Sequence, residues 1–284
     1  MRSLSLVALA LIGLVGCSTA TPTATKPTTT SPTTATPAQP AASTTAAHTI
    51  FMAGDSTMSI KEVKDWPETG WGVPFAIFFN DYTVDNRAMN GRSTRTFIAE
   101  GRWQAIADQL NAGDYVFIQF GHNDESIAKT DRYTTPAQYQ ANLTRFVRDV
   151  RAKHAEPILL SPITRRNFDA AGNIEQTHVA YSPLSRQVAQ AEGVTFIDMD
   201  TITRAHFQAE GDAGSRLRFM HIAPGLHPNY PKGVSDNTHL NQLGAREVAQ
   251  LVLAELKRQN HPLAQQLRTP DPKHLELIYQ APKN

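Results

Sequence analysis

Five short apolar blocks recur along the chain with helical patterns between them, and this alternation leaves few folds open. The blocks are Thr49–Ala53, Tyr82–Asn86, Tyr115–Phe120, Pro157–Pro162 and Thr195–Met199. Each has the length and apolar continuity of a strand buried on both faces of a parallel sheet. Helical periods fit Arg95–Leu110, Pro136–His154, Ser182–Glu192 and Gln242–Gln259, with Pro136 suited to a first turn and Gly193 to a helix end. Strands alternating with helices predict an α/β fold, a three-layer α/β/α sandwich around a five-stranded parallel sheet. Residues 204–235 fit no regular element, and a loop of that length is expected to be either functional or disordered.

The ends of the chain read differently from its middle. Met1-Arg2 opens a short positive region, Leu4 to Val15 is an apolar run too short to span a bilayer, and Leu14-Val15-Gly16-Cys17 follows. This pattern resembles the lipobox of bacterial lipoproteins, which implies cleavage before Cys17 and lipid on that cysteine. An ordinary signal peptide cut nearby, with Cys17 incidental, is the other reading. Residues 18–47 are almost entirely Thr, Pro, Ala and Ser, with no period on which a core could form. Such a linker reaches ~30 Å as a coil and up to ~90 Å if proline extends it. The expected organisation is therefore a leader (1–17), a linker (18–47), a catalytic domain (48–265) and a tail (266–284). The expected location is the bacterial cell envelope, held at a membrane by lipid. Cys17 is the single cysteine, so the mature domain has no disulfide. Net charge is +1 with no basic stripe, which argues against nucleic acid as a partner.

Four polar blocks fall at the ends of expected strands or before the last helix. Gly54-Asp55-Ser56-Thr57 follows the first strand, Asn86 to Ser93 the second, and Gly121-His122-Asn123-Asp124 the third, while Asp236-Asn237-Thr238-His239 precedes the last helix. In a doubly wound sheet these loops converge on one rim. Ser56 supplies a hydroxyl and His239 a base suited to neutral pH. Asp236, three residues earlier, can fix the imidazole tautomer from the same tight turn. The backbone N–H groups of Ser56 and Gly91 and the amide of Asn123 supply three donors for a tetrahedral oxyanion.

Taken together, these blocks resemble the SGNH, or GDSL-type, hydrolase superfamily. Gly70-Trp71-Gly72, Asn86-Arg87-Ala88, Gly91 to Phe97, Glu100 to Trp103, Gly113 to Val116 and Asn229 to His239 are similar to its rhamnogalacturonan acetylesterase branch. The resemblance covers roughly residues 49–260. It implies a flavodoxin-like sheet, Ser56 as nucleophile, Asp236 and His239 completing a triad, and Gly91 and Asn123 as oxyanion donors. It also implies an esterase that removes acetyl groups from rhamnogalacturonan in pectin. Arg92, Arg95 and Tyr230 are the expected sugar-binding residues. Other acylated glycans such as acetylxylan or peptidoglycan, or a lipid, are alternative substrates, and a non-catalytic glycan-binding lipoprotein is the alternative of another class.

The remaining candidates have plainer readings. Ser93 lacks the closing glycine of a nucleophile elbow and is expected to cap a helix. His122, a rival base, has no carboxylate at a fixed spacing and is expected to be structural. His221 and His227 match no zinc spacing, so neither metal nor cofactor is expected. Trp71 and Trp103 are expected in the core.

Overall fold

The computed structural model describes residues 48–79 and 81–268. The expected leader with Cys17, the linker 18–47 and residues 269–284 of the expected tail lie outside the described residues. Five parallel strands, β1 (His48–Gly54), β2 (Tyr82–Asn86), β3 (Tyr115–Gln119), β4 (Glu156–Leu160) and β5 (Thr195–Ile197), form one sheet in the order β2-β1-β3-β4-β5. The order reverses between β1 and β3, and the crevice beyond the carboxyl ends of such a pair is where doubly wound sheets hold ligands. β1 runs into Asp55-Ser56 and β3 runs into Gly121–Asp124, so two of the four polar blocks meet at this switch point.

The helices are α1 (Gly72–Phe75), α2 (Thr94–Ala99), α3 (Arg102–Ala107), α4 (Pro136–Ala152), α5 (Ser182–Glu192), α6 (Met199–Arg216) and α7 (Gln242–Arg258). Successive β1 side chains point to opposite faces of the sheet. Ile50 and Met52 join Phe117, Ile158 and Ile197 in a core with Phe75 of α1, Phe207 of α6 and Ala245, Val248, Ala249, Val252 and Leu256 of α7. Phe51 and Ala53 join Val116, Ile118 and Leu159 in a second core with α2 to α5. Trp103 stacks on Phe146 with ring centroids 4.0 Å apart, and Trp71 packs edge-on against Phe75. Both tryptophans are fully buried, and each indole N–H donates to a side-chain oxygen, of Gln119 for Trp71 and Asp149 for Trp103. Truncating one of these aromatics to alanine would cost about 3–5 kcal/mol through lost burial and the cavity left behind.

Three stretches differ from the sequence reading. The expected helix Arg95–Leu110 is two helices, because Gly101 adopts a left-handed backbone (φ 69°) between α2 and α3. Ser93 caps α2 in a capping box with Thr96. Residues 204–235 are largely regular rather than one long loop. α6 continues to Arg216 across a kink at Gly211, and β6 (Phe219–Ile222) pairs antiparallel with β7 (Val234–Leu240). Only 223–233 connect the hairpin strands without a helix or strand. Finally, the folded part runs past 265: Leu267 bridges Phe79 and the Arg268 N–H donates to the Phe78 carbonyl at 2.7 Å.

Candidate active site

Asp236 and His239 lie within β7 and not, as expected, on a tight turn outside a strand. Met220 of β6 pairs with Asp236 and the adjacent Phe219 pairs with Leu240, so residues 237–239 of β7 have no counterpart on β6. This bulge folds Asp236 back on the residues that follow it. Its Oδ1 accepts from the backbone N–H groups of Thr238 (2.6 Å) and His239 (3.1 Å), and its Oδ2 lies 2.7 Å from His239 Nδ1. Asn237, at the middle of the bulge, is held from behind. Its Oδ1 meets Arg166 Nη1 at 2.9 Å and His221 Nε2 at 2.8 Å, and its carbonyl accepts from the Arg166 N–H. Just beyond, Asn241 caps α7 by accepting from Leu243 and Gly244, which fixes the chain on the other side of His239.

The other ring nitrogen of His239, Nε2, lies 2.9 Å from Ser56 Oγ. An acceptor carboxylate at Nδ1 makes that nitrogen the proton-bearing one, which leaves Nε2 with a lone pair facing the hydroxyl. Burial works to raise the Asp236 pKa, but the hydrogen bond and charge of His239 and the two backbone N–H groups outweigh it and hold the carboxyl at about 2. Asp236 is therefore an anion at neutral and mildly acidic pH.

Ser56 and His239 open onto a cleft of about 630 Å³ whose walls include Gly91, Arg92 and Asn123. Gly91 has a left-handed backbone (φ 75°), and a Cβ there would stand 3.0 Å from Arg132 Nη1. Asn123 Nδ2 donates to the Arg92 carbonyl at 3.0 Å, which seats the amide against the peptide that joins Arg92 to Ser93. Next to it, buried Asp124 accepts from the Thr94 N–H (2.9 Å) and hydroxyl (2.6 Å), tying the loop after β3 to the start of α2. Burial pushes Asp124 up to about 7 despite those bonds. The nucleophile loop is tied in as well. Asp55 accepts from the Thr57 N–H and hydroxyl, Ser59 donates to Asn90 Oδ1 at 2.6 Å, and Asn86 donates to the Met58 carbonyl.

Of the expected sugar-binding residues, Arg92 lines the cleft, where its Nε faces Glu100 at 3.0 Å. Arg95 binds the backbone carbonyls of Tyr133, Thr130 and Asp131, and so holds the loop before α4. The Tyr230 hydroxyl donates to the Asp65 carbonyl at 2.8 Å and fastens the β6–β7 connection to residues 63–66. His122 is buried edge-on against His178, with ring centroids 4.4 Å apart, and burial together with His178 holds its pKa well below the ordinary value. Among the described residues, no three His, Cys, Asp or Glu side chains converge as a metal site. Charged residues of this cleft that carried no signal in the sequence include Lys61, Glu68, Lys129 and Arg132. Glu68, Lys129 and Arg132 line it, and Lys61 lies behind Glu68 with its Nζ 2.8 Å from Glu68 Oε1.

A family model for the GDSL-like lipase/acylhydrolase family matches residues 52–246, a span that takes in Ser56, Gly91, Asn123, Asp236 and His239. The chain belongs to this family. As a GDSL-like hydrolase it acts on carboxylic esters. It is 40% identical over 219 residues to a rhamnogalacturonan acetylesterase, RhgT, of Bacillus subtilis, covering 77% of this chain and 93% of that one. It is 33% identical to a probable rhamnogalacturonan acetylesterase, YesY, of the same organism, covering 78% and 98%. Among solved structures, the Bacillus subtilis protein YxiM superposes on this GDSL-like hydrolase with a TM-score of 0.64 at 27% identity. That match covers 76% of this chain and 57% of the YxiM chain.

Proposed function

We propose that this hydrolase removes O-acetyl groups from the rhamnogalacturonan backbone of pectin through an acetyl-Ser56 intermediate. The observation that carries the reading is the relay from Asp236 through His239 to Ser56, at 2.7 and 2.9 Å, in a chain 40% identical to a rhamnogalacturonan acetylesterase along nearly that protein's full length. His239 takes the Ser56 proton as Oγ attacks the acetyl carbonyl. The developing oxyanion is held by the N–H groups of Ser56 and Gly91 and the amide of Asn123. The sugar oxygen leaves with the proton from His239, and water then releases acetate by the same route. Charged and polar cleft walls, Arg92, Glu100, Lys129 and Arg132 among them, suit a hydrated polysaccharide better than an acyl chain.

The leader and linker support a place for this chemistry. Lipid on Cys17 would tether the domain to a membrane of the cell envelope, with the Thr/Pro segment 18–47 as spacer. Loss of membrane-pelleted activity in Cys17→Ser, with activity recovered in the soluble fraction, is the expected result; unchanged pelleting would refute the tether. The substrate is tested by acetate release from acetylated rhamnogalacturonan, acetylxylan and acetylated peptidoglycan at matched ester concentration. Release should be fastest from rhamnogalacturonan. Preference for either of the other two would overturn the substrate assignment and leave the esterase chemistry standing.

A further inference from the structure

A second carboxylate faces the reacting end of His239. Glu68 Oε1 lies 4.0 Å from Nε2, the nitrogen that also meets Ser56 Oγ at 2.9 Å. The imidazole thus stands between Asp236 on its Nδ1 side and Glu68 on its Nε2 side. The chain around Glu68 is built into the site. The Thr69 N–H donates to the Leu240 carbonyl, directly after His239, and the Trp71 and Gly72 N–H groups donate to the carbonyls of Thr57 and Met58, directly after Ser56.

Glu68 is held from behind by Lys61, whose side chain is 1% exposed. The ammonium lies 2.8 Å from Glu68 Oε1, 2.8 Å from Asn90 Oδ1 and 3.2 Å from Ser59 Oγ, and it also donates to the Ser56 carbonyl. A buried ion pair is weak evidence for stability. This one is also one-sided: Lys61 is sealed, whereas Glu68 keeps 16% of its side chain exposed and lines the cleft with Ser56 and His239.

A separation of 4.0 Å is too long for a direct hydrogen bond. One water making two bonds of about 2.8 Å bridges atoms up to about 5.6 Å apart, so the gap suits a single bridging water. Building on the acetyl-Ser56 reading, we propose that Glu68 positions the water that hydrolyses the acetyl-enzyme. The carboxylate accepts one water O–H as a hydrogen bond, and His239 Nε2 removes the other proton. The water oxygen bonds to the acetyl carbon, the carbon–Oγ bond then breaks, and Ser56 Oγ takes the proton back from Nε2. The acetic acid product ionises to acetate in solvent, and Glu68 ends the cycle unprotonated. During acylation Nε2 is occupied by Ser56 Oγ itself, so Glu68 acts in the second half-reaction.

Glu68→Gln keeps the shape of the side chain and an acceptor for Lys61. It should slow deacylation on the order of 10–100-fold while leaving acylation close to wild type. With p-nitrophenyl acetate it should give a burst of nitrophenol near one equivalent, an acetylated Ser56 peptide by mass spectrometry, and recovery of turnover with hydroxylamine, a nucleophile strong enough to dispense with the bridging water's placement. Loss of kcat/KM with no burst and no acetyl-Ser56, or wild-type kinetics throughout, would overturn the proposal. If circular dichroism finds Glu68→Gln unfolded, Glu68→Asp, which keeps the charge but withdraws it, is read by the same burst. A folded Glu68→Asp without a burst overturns the proposal as well. Wild type is quenched in parallel: absence of acetyl on Ser56 in both wild type and the folded Glu68 variant sinks the acyl-enzyme reading itself. Acetyl-Ser56 in wild type without build-up in the Glu68 variant sinks only the role of Glu68.

Discussion

The Asp236 carboxylate sits 2.7 Å from Nδ1 of His239 although both residues belong to one strand. In a regular strand, residues three apart point to opposite faces. The bulge between Met220 and Phe219 of the partner strand removes that restriction. Asp236→Asn would keep the bulge but present the wrong tautomer of His239 to Ser56. We expect kcat to fall on the order of 10³–10⁴-fold with KM little changed. A loss under tenfold would remove Asp236 from the relay.

The low pKa of Asp236, about 2, bears on the acid limb of the pH profile. Because the carboxyl stays ionised far below neutrality, Asp236 adds no ionisation of its own to the relay between pH 4 and neutrality, which leaves the imidazole base as its one proton-accepting group. The plot of log kcat/KM against pH should therefore rise with a slope of one and then level off. A slope of two would mean that a second group in the relay titrates with it. Stability linked to Asp236 has the matching sign. It is present above the ordinary carboxyl value of 3.8 and is lost as pH falls towards about 2.

The strands were legible because both faces of the sheet are covered. Phe51 and Ala53 face one core and Ile50 and Met52 the other, which leaves a continuous apolar run to read. β7 hid for the opposite reason. Its Ser235-Asp236-Asn237-Thr238-His239 stretch is polar because its bulge presents groups to a cleft, so it carries neither alternation nor an apolar run. Gly211 and Gly214 masked α6 in the same way, since glycine argues against a helix interior. Ser56, Asp236 and His239 stood out by residue type and block order. The Lys61–Glu68 pair left no such trace: its partners sit in an irregular segment with no period, and only the folding of that segment onto the loop after β1 and onto β7 brings Glu68 to His239.

Asn123 is held by its bond to the Arg92 carbonyl, which uses one of its two amide hydrogens. The other is the proposed oxyanion donor. Asn123→Ala should lower kcat on the order of 10²–10³-fold, about 3–4 kcal/mol of barrier, with a much smaller effect on KM. Steady-state kinetics on a soluble acetyl ester checks this, and a change confined to KM would reassign Asn123 to ground-state binding.

Asp124 makes the opposite pH prediction from Asp236. Burial raises it to about 7 in the folded chain from an ordinary value of 3.8. Between those limits the folded state holds a proton that the unfolded chain has lost. The associated stability is complete below the unfolded value and is lost as pH rises through the folded one. Asp124→Asn stays neutral throughout and can still accept from Thr94. Its melting temperature relative to wild type should climb between pH 4 and 7 and then hold steady. A difference independent of pH would mean that Asp124 is ionised across the range.

Turnover depends on the Ser56 hydroxyl, and acetate release from acetylated rhamnogalacturonan by Ser56→Ala tests this most directly. The serine is small and its hydroxyl faces the cleft, so the variant should melt close to wild type. Its release of acetate should fall by at least about 10⁴-fold. A folded Ser56→Ala protein that releases acetate at the wild-type rate would contradict the assignment.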